Sequence, residues 1–492
     1  MRTPAEAAAT DRHESLREFA GTRAHFIGIG GSGMSGAAAL LLGLGAEVSG
    51  SDLVPFDGMG TLVNRGARVS IGHREQQLDT NVNLVVISAA IPESNPELVA
   101  ARTLGVRVVK YAELLGVLMR GCTKGVAIAG THGKTTTTAI CAHLYRRAGF
   151  DPSFLVGAYS SQLGGSSGVG KGPHFIVEAC EFDRSFLHLA PESAAILNIE
   201  PDHLDCYRDL DEIVGAFARF AHNVDPNGLL VCNAGDHRTR AAAAESRACV
   251  QTFGFTEGAD WQAVDLCREH GCYSFEVRFS GQVLLSTRLS IPGLHNVANA
   301  LAAIALAHHA GADPGCIERA LPTFSGVSRR LSLRGEGHGV TIVDDYAHHP
   351  TEIRVTIEAA RYRYRPRRTW AIFQPHQHAR TRHLMEDFSD SFGEADEIIV
   401  PDVYAAREAS DTPETPPESG IPDADGTPCS EELVSRIRQR GGRARYMPGL
   451  SAVAEHLVRH VTEGDLVLTM GAGDVWKVAD ELVERICEPN RA

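Results

Sequence analysis

The stretch Gly130-Thr131-His132-Gly133-Lys134-Thr135-Thr136 follows directly on the apolar run Val126-Ala127-Ile128-Ala129. An apolar strand, a glycine turn closing on Lys-Thr and a helix expected over residues 137–147 make one strand–turn–helix unit. Such a turn aims backbone N–H groups at a polyphosphate, sets the lysine charge on the β- and γ-phosphates and offers a hydroxyl to Mg²⁺. The loop is shorter than the usual one. Gly-x4-Gly-Lys-Thr would need glycine at Ile128, whereas the first glycine is Gly130. The unit implies an α/β protein that binds ATP or GTP with magnesium.

The surrounding chain of 492 residues is too long for one core, and about three domains are expected. Its net charge of -14 argues against nonspecific binding to nucleic acid or to anionic membranes, so local cations must hold any anionic ligand. No apolar run is long enough to span a bilayer. Residues 1–22 hold acids and no apolar core of a secretory signal, and read as a flexible extension. Eleven scattered cysteines without a Cys-x2-Cys pair suit reduced thiols and a cytoplasmic setting, and argue against zinc.

Three segments follow from the punctuation. In residues 23–120, strand His25-Phe26-Ile27 runs into Gly28-Ile29-Gly30-Gly31-Ser32-Gly33 and a helix to Leu44, with further strands ending at Asp52 and Ser88. This is a βαβ pattern. Residues 121–325 hold the phosphate loop and strands at His174-Phe175-Ile176-Val177, Ala194-Ala195-Ile196-Leu197 and Leu229-Leu230-Val231, then alternating antiparallel ribbons and a helix over 296–310. Residues 326–492 alternate strands and helices again, around Val340-Thr341-Ile342-Val343, Thr369-Trp370-Ala371-Ile372-Phe373, Glu397-Ile398-Ile399-Val400 and Asp465-Leu466-Val467-Leu468. A stretch rich in Pro, Asp, Glu and Ser at 408–428 reads as a mobile loop.

Ligands of open α/β sheets sit at the carboxyl ends of strands. There the chain places Glu178, Glu181 and Asp183; Asn198, Glu200, Asp202 and His203; Asp344, Asp345, Tyr346, His348 and His349; Gln374, His376 and Arg380; and Gly471, Gly473 and Asp474. Mg²⁺ takes hard oxygen ligands, so Glu178, beside the loop, and Thr135 are its expected protein ligands. A solvated acidic loop is the plainer reading, above all for Glu181 and Asp183. His203 reads equally as a second metal ligand or a hydrogen-bonding loop residue. The run 345–350 can be a reactive cluster or a turn capping the helix that Pro350 starts. Arg329 and Arg330 can be a solvated pair or reach a phosphate. Asn296 and Asn299 lie on one helix face and can meet one ligand, or simply cap and face solvent. Gly28-x-Gly30-x-x-Gly33, with Asp52 where a ribose acid would sit, fits a dinucleotide fingerprint, but the same turn can cradle the pyrophosphate of a nucleotide-sugar.

Together, Gly130-Thr131-His132-Gly133-Lys134-Thr135-Thr136, His295-Asn296-x-x-Asn299, Asp345-Tyr346-Ala347-His348-His349-Pro350 and Phe373-Gln374-Pro375-His376 resemble the Mur ligases. The opening Phe26-Ile27-Gly28-Ile29-Gly30-Gly31-Ser32-Gly33-Met34-Ser35-Gly36 and the run Asn198-Ile199-Glu200-Pro201-Asp202-His203-Leu204-Asp205 are similar to the member of that family that adds L-alanine. The resemblance spans about residues 23–480. It implies a Rossmann-like N-terminal domain, a central P-loop ATPase-type α/β domain and a Rossmann-like C-terminal domain.

By the same resemblance, ATP phosphorylates the lactyl carboxylate of UDP-N-acetylmuramate, and L-alanine attacks the acyl phosphate. Gly28, Gly30, Gly31, Ser32, Gly33, Met34, Ser35, Asp52 and Ser88 would hold the UDP-sugar. Gly130, Thr131, His132, Gly133, Lys134, Thr135, Thr136, His295, Asn296, Asn299 and Arg330 would hold ATP. Thr135, Glu178 and His203 would bind metal, and Asp345, Tyr346, His348, His376 and Arg380 would form the amino-acid site. Lys134, His203, Arg330, Asp345 and His348 would carry the chemistry. A monomer or weak homodimer acting on small molecules is expected. Where the family reads Tyr-Ala-Ala-Gly-Glu, this chain has Tyr404-Ala405-Ala406-Arg407-Glu408, followed by a longer stretch. The competing readings are a related ligase adding another amino acid or a recycled peptide, and an NAD-dependent oxidoreductase.

Overall fold

A computed structural model of the chain describes residues 19–203, 206–405 and 429–487. Most of the 1–22 extension, Leu204 and Asp205, Ala406 to Glu408 and the 408–428 stretch lie outside the described residues. Among those described, the strands form three sheets of five, ten and six.

The first sheet is parallel throughout. Its order is Arg68–Ile71, Glu47–Asp52, Arg23–Ile27, Leu84–Ile87 and Arg107–Lys110. Chain order reverses between Arg23–Ile27 and Leu84–Ile87, so their carboxyl ends open a crevice, and the first glycine turn sits in it. Two short strands, Arg68–Ile71 and Arg107–Lys110, were not expected from the sequence. Both are edge strands of four residues with partly exposed side chains, too polar and too brief to give a periodic signal.

The second sheet has a parallel centre in the order Leu229–Asn233, Ser193–Ile196, Lys124–Ala129, His174–Ala179 and Ser153–Ser160. Antiparallel strands Trp261–Glu269, Cys272–Phe279 and Gln282–Arg288 extend one edge. The phosphate-loop strand is flanked by Ser193–Ile196 and His174–Ala179, which brings Asn198 and Glu178 to opposite sides of the loop. Helices Lys134–Arg147 and Leu294–His309 share the core on one face. The second is alanine-rich, and Ala300 to Ala307 are all fully buried, so its backbone approaches closely. Each large apolar side chain buried here contributes about 1.5–3 kcal/mol.

The third sheet runs Ser332–Gly337 (antiparallel edge), Val340–Asp345, Asp465–Met470, Arg368–Phe373, Glu397–Val400 and Ala444–Tyr446. Its carboxyl ends face those of the central sheet. On the other side the first unit docks through helix Ser32–Gly43. A Cβ on Gly36 would stand 2.4 Å from Leu155 Cδ1, so a larger residue here would make that side chain move. No described helix is long and apolar enough to cross a membrane. None of the eleven cysteines, all among the described residues, forms a disulfide.

Candidate active site

Residues of the loop are fixed from both sides. Asn198 accepts the His132 N–H at 2.7 Å through Oδ1 and donates to the His132 carbonyl at 3.1 Å, while the Asn198 carbonyl accepts the Thr131 N–H at 3.0 Å. Gly133 is left-handed, φ 82°, and a Cβ there would lie 2.5 Å from Asn299 Oδ1. The helix begins at Lys134, earlier than the expected 137. Four successive threonines are weak helix formers and hid its first turn, but Thr135 to Thr138 are buried, and packing overrides propensity.

Lys134 Nζ donates to the Gly130 carbonyl, to the Thr131 carbonyl at 3.0 Å and to Glu181 Oε2 at 2.8 Å. Glu181 was expected in a solvated acidic loop; instead its side chain is 3% exposed and pairs with Lys134, which corrects that reading. No local pattern signals this, because the enclosing contacts are long-range: the Tyr207 hydroxyl, 26 residues on, donates to the Glu181 carbonyl at 2.6 Å. Asp183 does stay partly exposed, bonded to Lys110 at 2.9 Å.

Thr135 Oγ1 donates to Glu178 Oε2 at 3.1 Å, and the Gly157 N–H donates to Oε1. Burial pushes the Glu178 carboxyl up, against the pull of these donors and of Lys134. A half-buried carboxylate beside a hydroxyl, both offering oxygen ligands, fits a hard cation such as Mg²⁺. His203 adopts a left-handed backbone, φ 52°, and its Nε2 lies 4.0 Å from Glu181 Oε1 and 3.7 Å from Asp202 Oδ2. It therefore sits beside Glu181, the partner of Lys134.

Behind the loop a cavity of about 290 Å³ is lined by His132, Gly133, His295, Asn296, Asn299 and Arg330 among others. Asn299 Nδ2 donates to Asn296 Oδ1 at 3.1 Å, and Asn296 Nδ2 to the Pro292 carbonyl at 2.7 Å, so the two asparagines present a fixed polar edge. Burial, reinforced by Arg330, lowers His295 to about 4 and keeps it neutral.

The third unit closes the cavity. Asp345 accepts the N–H groups of Leu331 and Ala347, both at 2.7 Å, and burial raises it to about 6. Arg329 bonds Asp344 at 3.1 Å and the Gly471 carbonyl at 2.7 Å, which is structural; Arg330 instead faces the cavity. His348 Nδ1 lies 3.0 Å from the Tyr346 carbonyl, and burial lowers its ring to about 4. Arg380 joins His376 Nδ1 at 3.1 Å to Asp202 Oδ1 at 2.9 Å, and His376 stacks on Tyr404. Of the two readings the sequence left open for 345–350, the capping turn is present: His349 caps helix Pro350–Tyr364 through Nδ1.

Sequence reasoning did not single out Glu352. Its Oε1 lies 3.2 Å from His132 Nδ1, and His132 Nε2 lies 3.4 Å from Glu200. Burial would lower His132, but the two carboxylates raise it to about 9. An acid three residues beyond a capping residue is a legible helix-start signal, though not a sign of a role across domains. The His132–Glu200–His349 group has the makeup of a metal site. Its atoms are already committed: Glu200 Oε2 accepts the Thr351 hydroxyl at 2.7 Å, and His349 Nε2 meets the Pro201 carbonyl at 3.2 Å. It works as a domain contact.

In the first unit, Gly28 and Gly30 turn at the end of Arg23–Ile27, Gly31 caps helix Ser32–Gly43, and Ser35 lies in its first turn. Met34 packs into the core, so what it offers a ligand is its main chain. Asp52 Oδ2 accepts the Gly30 N–H at 2.8 Å and thus shapes the turn, and Ser88 Oγ caps Ala90. Tyr111, absent from the expectations, lays its phenol against Gly33. Burial, and then the Glu178 carboxylate, push its hydroxyl up.

A phosphate loop, a nucleotide-type glycine turn and a third sheet closing one cavity define a three-domain ligase of carboxylate-activating type, and the chain belongs to the Mur ligase family. Family models match residues 23–123 (Mur ligase family, catalytic domain), 128–307 (Mur ligase middle domain) and 329–473 (Mur ligase, glutamate ligase domain). Among relatives, the UDP-N-acetylmuramate–L-alanine ligase of Caldanaerobacter subterraneus is 41% identical over 94% of this chain and 97% of its own. The solved UDP-N-acetylmuramate–alanine ligase MurC of Thermotoga maritima is 28% identical, with TM-score 0.79 over 94% of this chain and 98% of its own. A murein peptide ligase of Psychrobacter arcticus is 25% identical, with TM-score 0.71 over the same shares.

Proposed function

We propose that the chain joins L-alanine to the lactyl carboxylate of UDP-N-acetylmuramate at the expense of ATP, in the cytoplasm, as a step of peptidoglycan precursor synthesis. The observation that carries this reading is the convergence, in one cavity, of the phosphate loop and the polar ends of the third sheet. A carboxylate activated at Lys134 then lies beside His348, His376 and Arg380, where an amine can reach it. The identity to L-alanine-adding relatives supports alanine as that amine.

A carboxylate is a poor electrophile, and transfer of the γ-phosphoryl group to its oxygen supplies a leaving group. Lys134 leaves Glu181 for the β- and γ-phosphates, and Arg330 faces the developing charge. Asn296 and Asn299 hold adenine. Thr135 and Glu178 would hold Mg²⁺, and His203 a second ion; such a cation would supply positive charge against the triphosphate. The amino nitrogen attacks the acyl carbon, the carbon–nitrogen bond forms, and phosphate departs with the bonding pair of the broken carbon–oxygen bond. Asp202 and Arg380 neutralise each other, and the remaining Arg380 donors suit the alanine carboxylate. The glycine turn with Asp52 and Ser88 holds the UDP moiety.

Phosphate release from ATP with UDP-N-acetylmuramate, comparing L-alanine, L-serine, glycine and a tripeptide, tests the reading. Alanine-dependent release is expected. No such release, or faster release with the tripeptide, refutes it.

A further inference from the structure

Glu352, buried in the first turn of helix Pro350–Tyr364, touches all three parts of the site. Its Oε2 accepts the His348 N–H at 3.0 Å and lies 3.3 Å from His348 Nδ1. Its Oε1 lies 3.2 Å from His132 Nδ1 in the phosphate loop and 3.8 Å from Arg330 Nη1 on the segment between the sheets. The helix N-terminus further favours its negative charge.

These contacts fix protons. His348 Nδ1 faces two acceptors, Glu352 Oε2 and the Tyr346 carbonyl, so that nitrogen carries the hydrogen. Nε2 is left with a lone pair. The ring is held among Tyr346, at 5.3 Å, and His376, at 6.2 Å between centroids. His132 faces a carboxylate at each nitrogen, Glu352 and Glu200, with the His349 ring 4.5 Å away. Both its nitrogens carry hydrogen, and it stands as a cation.

We propose that Glu352 is a positioning residue that couples the two half-reactions. One oxygen sets the tautomer of His348 so that Nε2 can take a proton from the attacking amine, and the other holds His132 and Arg330 as cations about the transferring phosphoryl group. The proposal rests on the ligase reading. Alanine binds as the free amine after its ammonium gives one proton to solvent. As the carbon–nitrogen bond forms, a second proton passes to His348 Nε2, and phosphate leaves with the electron pair of the broken carbon–oxygen bond.

Glu352→Gln keeps the shape and removes the charge. In the full-length enzyme, kcat should fall about tenfold or more while KM for UDP-N-acetylmuramate stays within about twofold. The alkaline limb of kcat/KM for ATP should move to lower pH, because His132 then keeps only Glu200 as a carboxylate partner. Glu352→Asp should recover part of the loss. Ring ¹⁵N shifts should report Nδ1–H His348 and doubly protonated His132 in the wild type, and a mixed tautomer in Glu352→Ala. Wild-type kcat in the Gln variant, a loss without displacement of the pH profile, or an unchanged His348 tautomer overturns the proposal. A wild-type enzyme that releases no phosphate with alanine refutes the ligase reading instead, and the ¹⁵N shifts still decide the role of Glu352.

Discussion

Lys134→Met should separate what the phosphate-loop lysine does for catalysis from what it does for the fold. Glu181 is 3% exposed and Lys134 15%, with 2.8 Å between them. Removing the cation leaves a buried carboxylate unpaired, and breaking such a pair costs about 3–5 kcal/mol. The lysine is not fully dry, and the lower end, about 3 kcal/mol, is expected. For a unit the size of the central domain that is a fall of about 6–12 °C in melting temperature. Turnover should fall about a thousandfold or more, since the phosphates lose their charged partner. Lys134→Met/Glu181→Gln removes both charges and should recover most of the stability and none of the turnover. Calorimetry on the full chain reads the first quantity, hydrogen exchange over residues 124–147 locates it, and phosphate release reads the second. An unshifted melting temperature in the single variant, or turnover restored in the double, refutes the reasoning.

The His132 contact between the domains should depend on pH. Its ring is raised from 6.5 to about 9, so its stabilisation is fully present below 6.5 and is lost as pH rises through about 9, a change of about 3 kcal/mol. Small-angle scattering should show the chain expanding over that window in the wild type and not in His132→Gln; equal curves refute it. Gly133→Ala combines a left-handed backbone, costing about 1–2 kcal/mol, with the contact to Asn299, and should raise KM for ATP about 5–30-fold or more; an unchanged KM means the loop is looser than described. Chelation with EDTA should abolish phosphate release and added Mg²⁺ restore it, with Glu178→Ala shifting the half-saturating Mg²⁺ concentration upward and leaving UDP-sugar binding intact. An unshifted magnesium requirement removes Glu178 from the metal site.

Local chemistry made much of the site legible. Gly130 to Thr136 announce a phosphate loop because glycine, lysine and threonine have few other uses in that order after an apolar strand. Glu178 was legible as the residue ending a neighbouring strand. Tyr111 carried no such signal, because it stands outside any motif and matters only through its contact with Gly33. Arg329 and Arg330 look alike in sequence, and only the fold turns one to Asp344 and the other to the cavity.

Sequence alone determined the three α/β units, the nucleotide loop and the set of residues that end the strands, since each depends on side-chain period and turn chemistry within a few residues. The tertiary structure decided which of those residues meet. Glu181 became a lysine partner, His132 a cation held between Glu200 and Glu352, and Glu352 a bridge between sites. Those properties arise from charges brought within about 4 Å from positions 47 to 220 residues apart and then shielded from water, where Coulomb attraction and desolvation both become large.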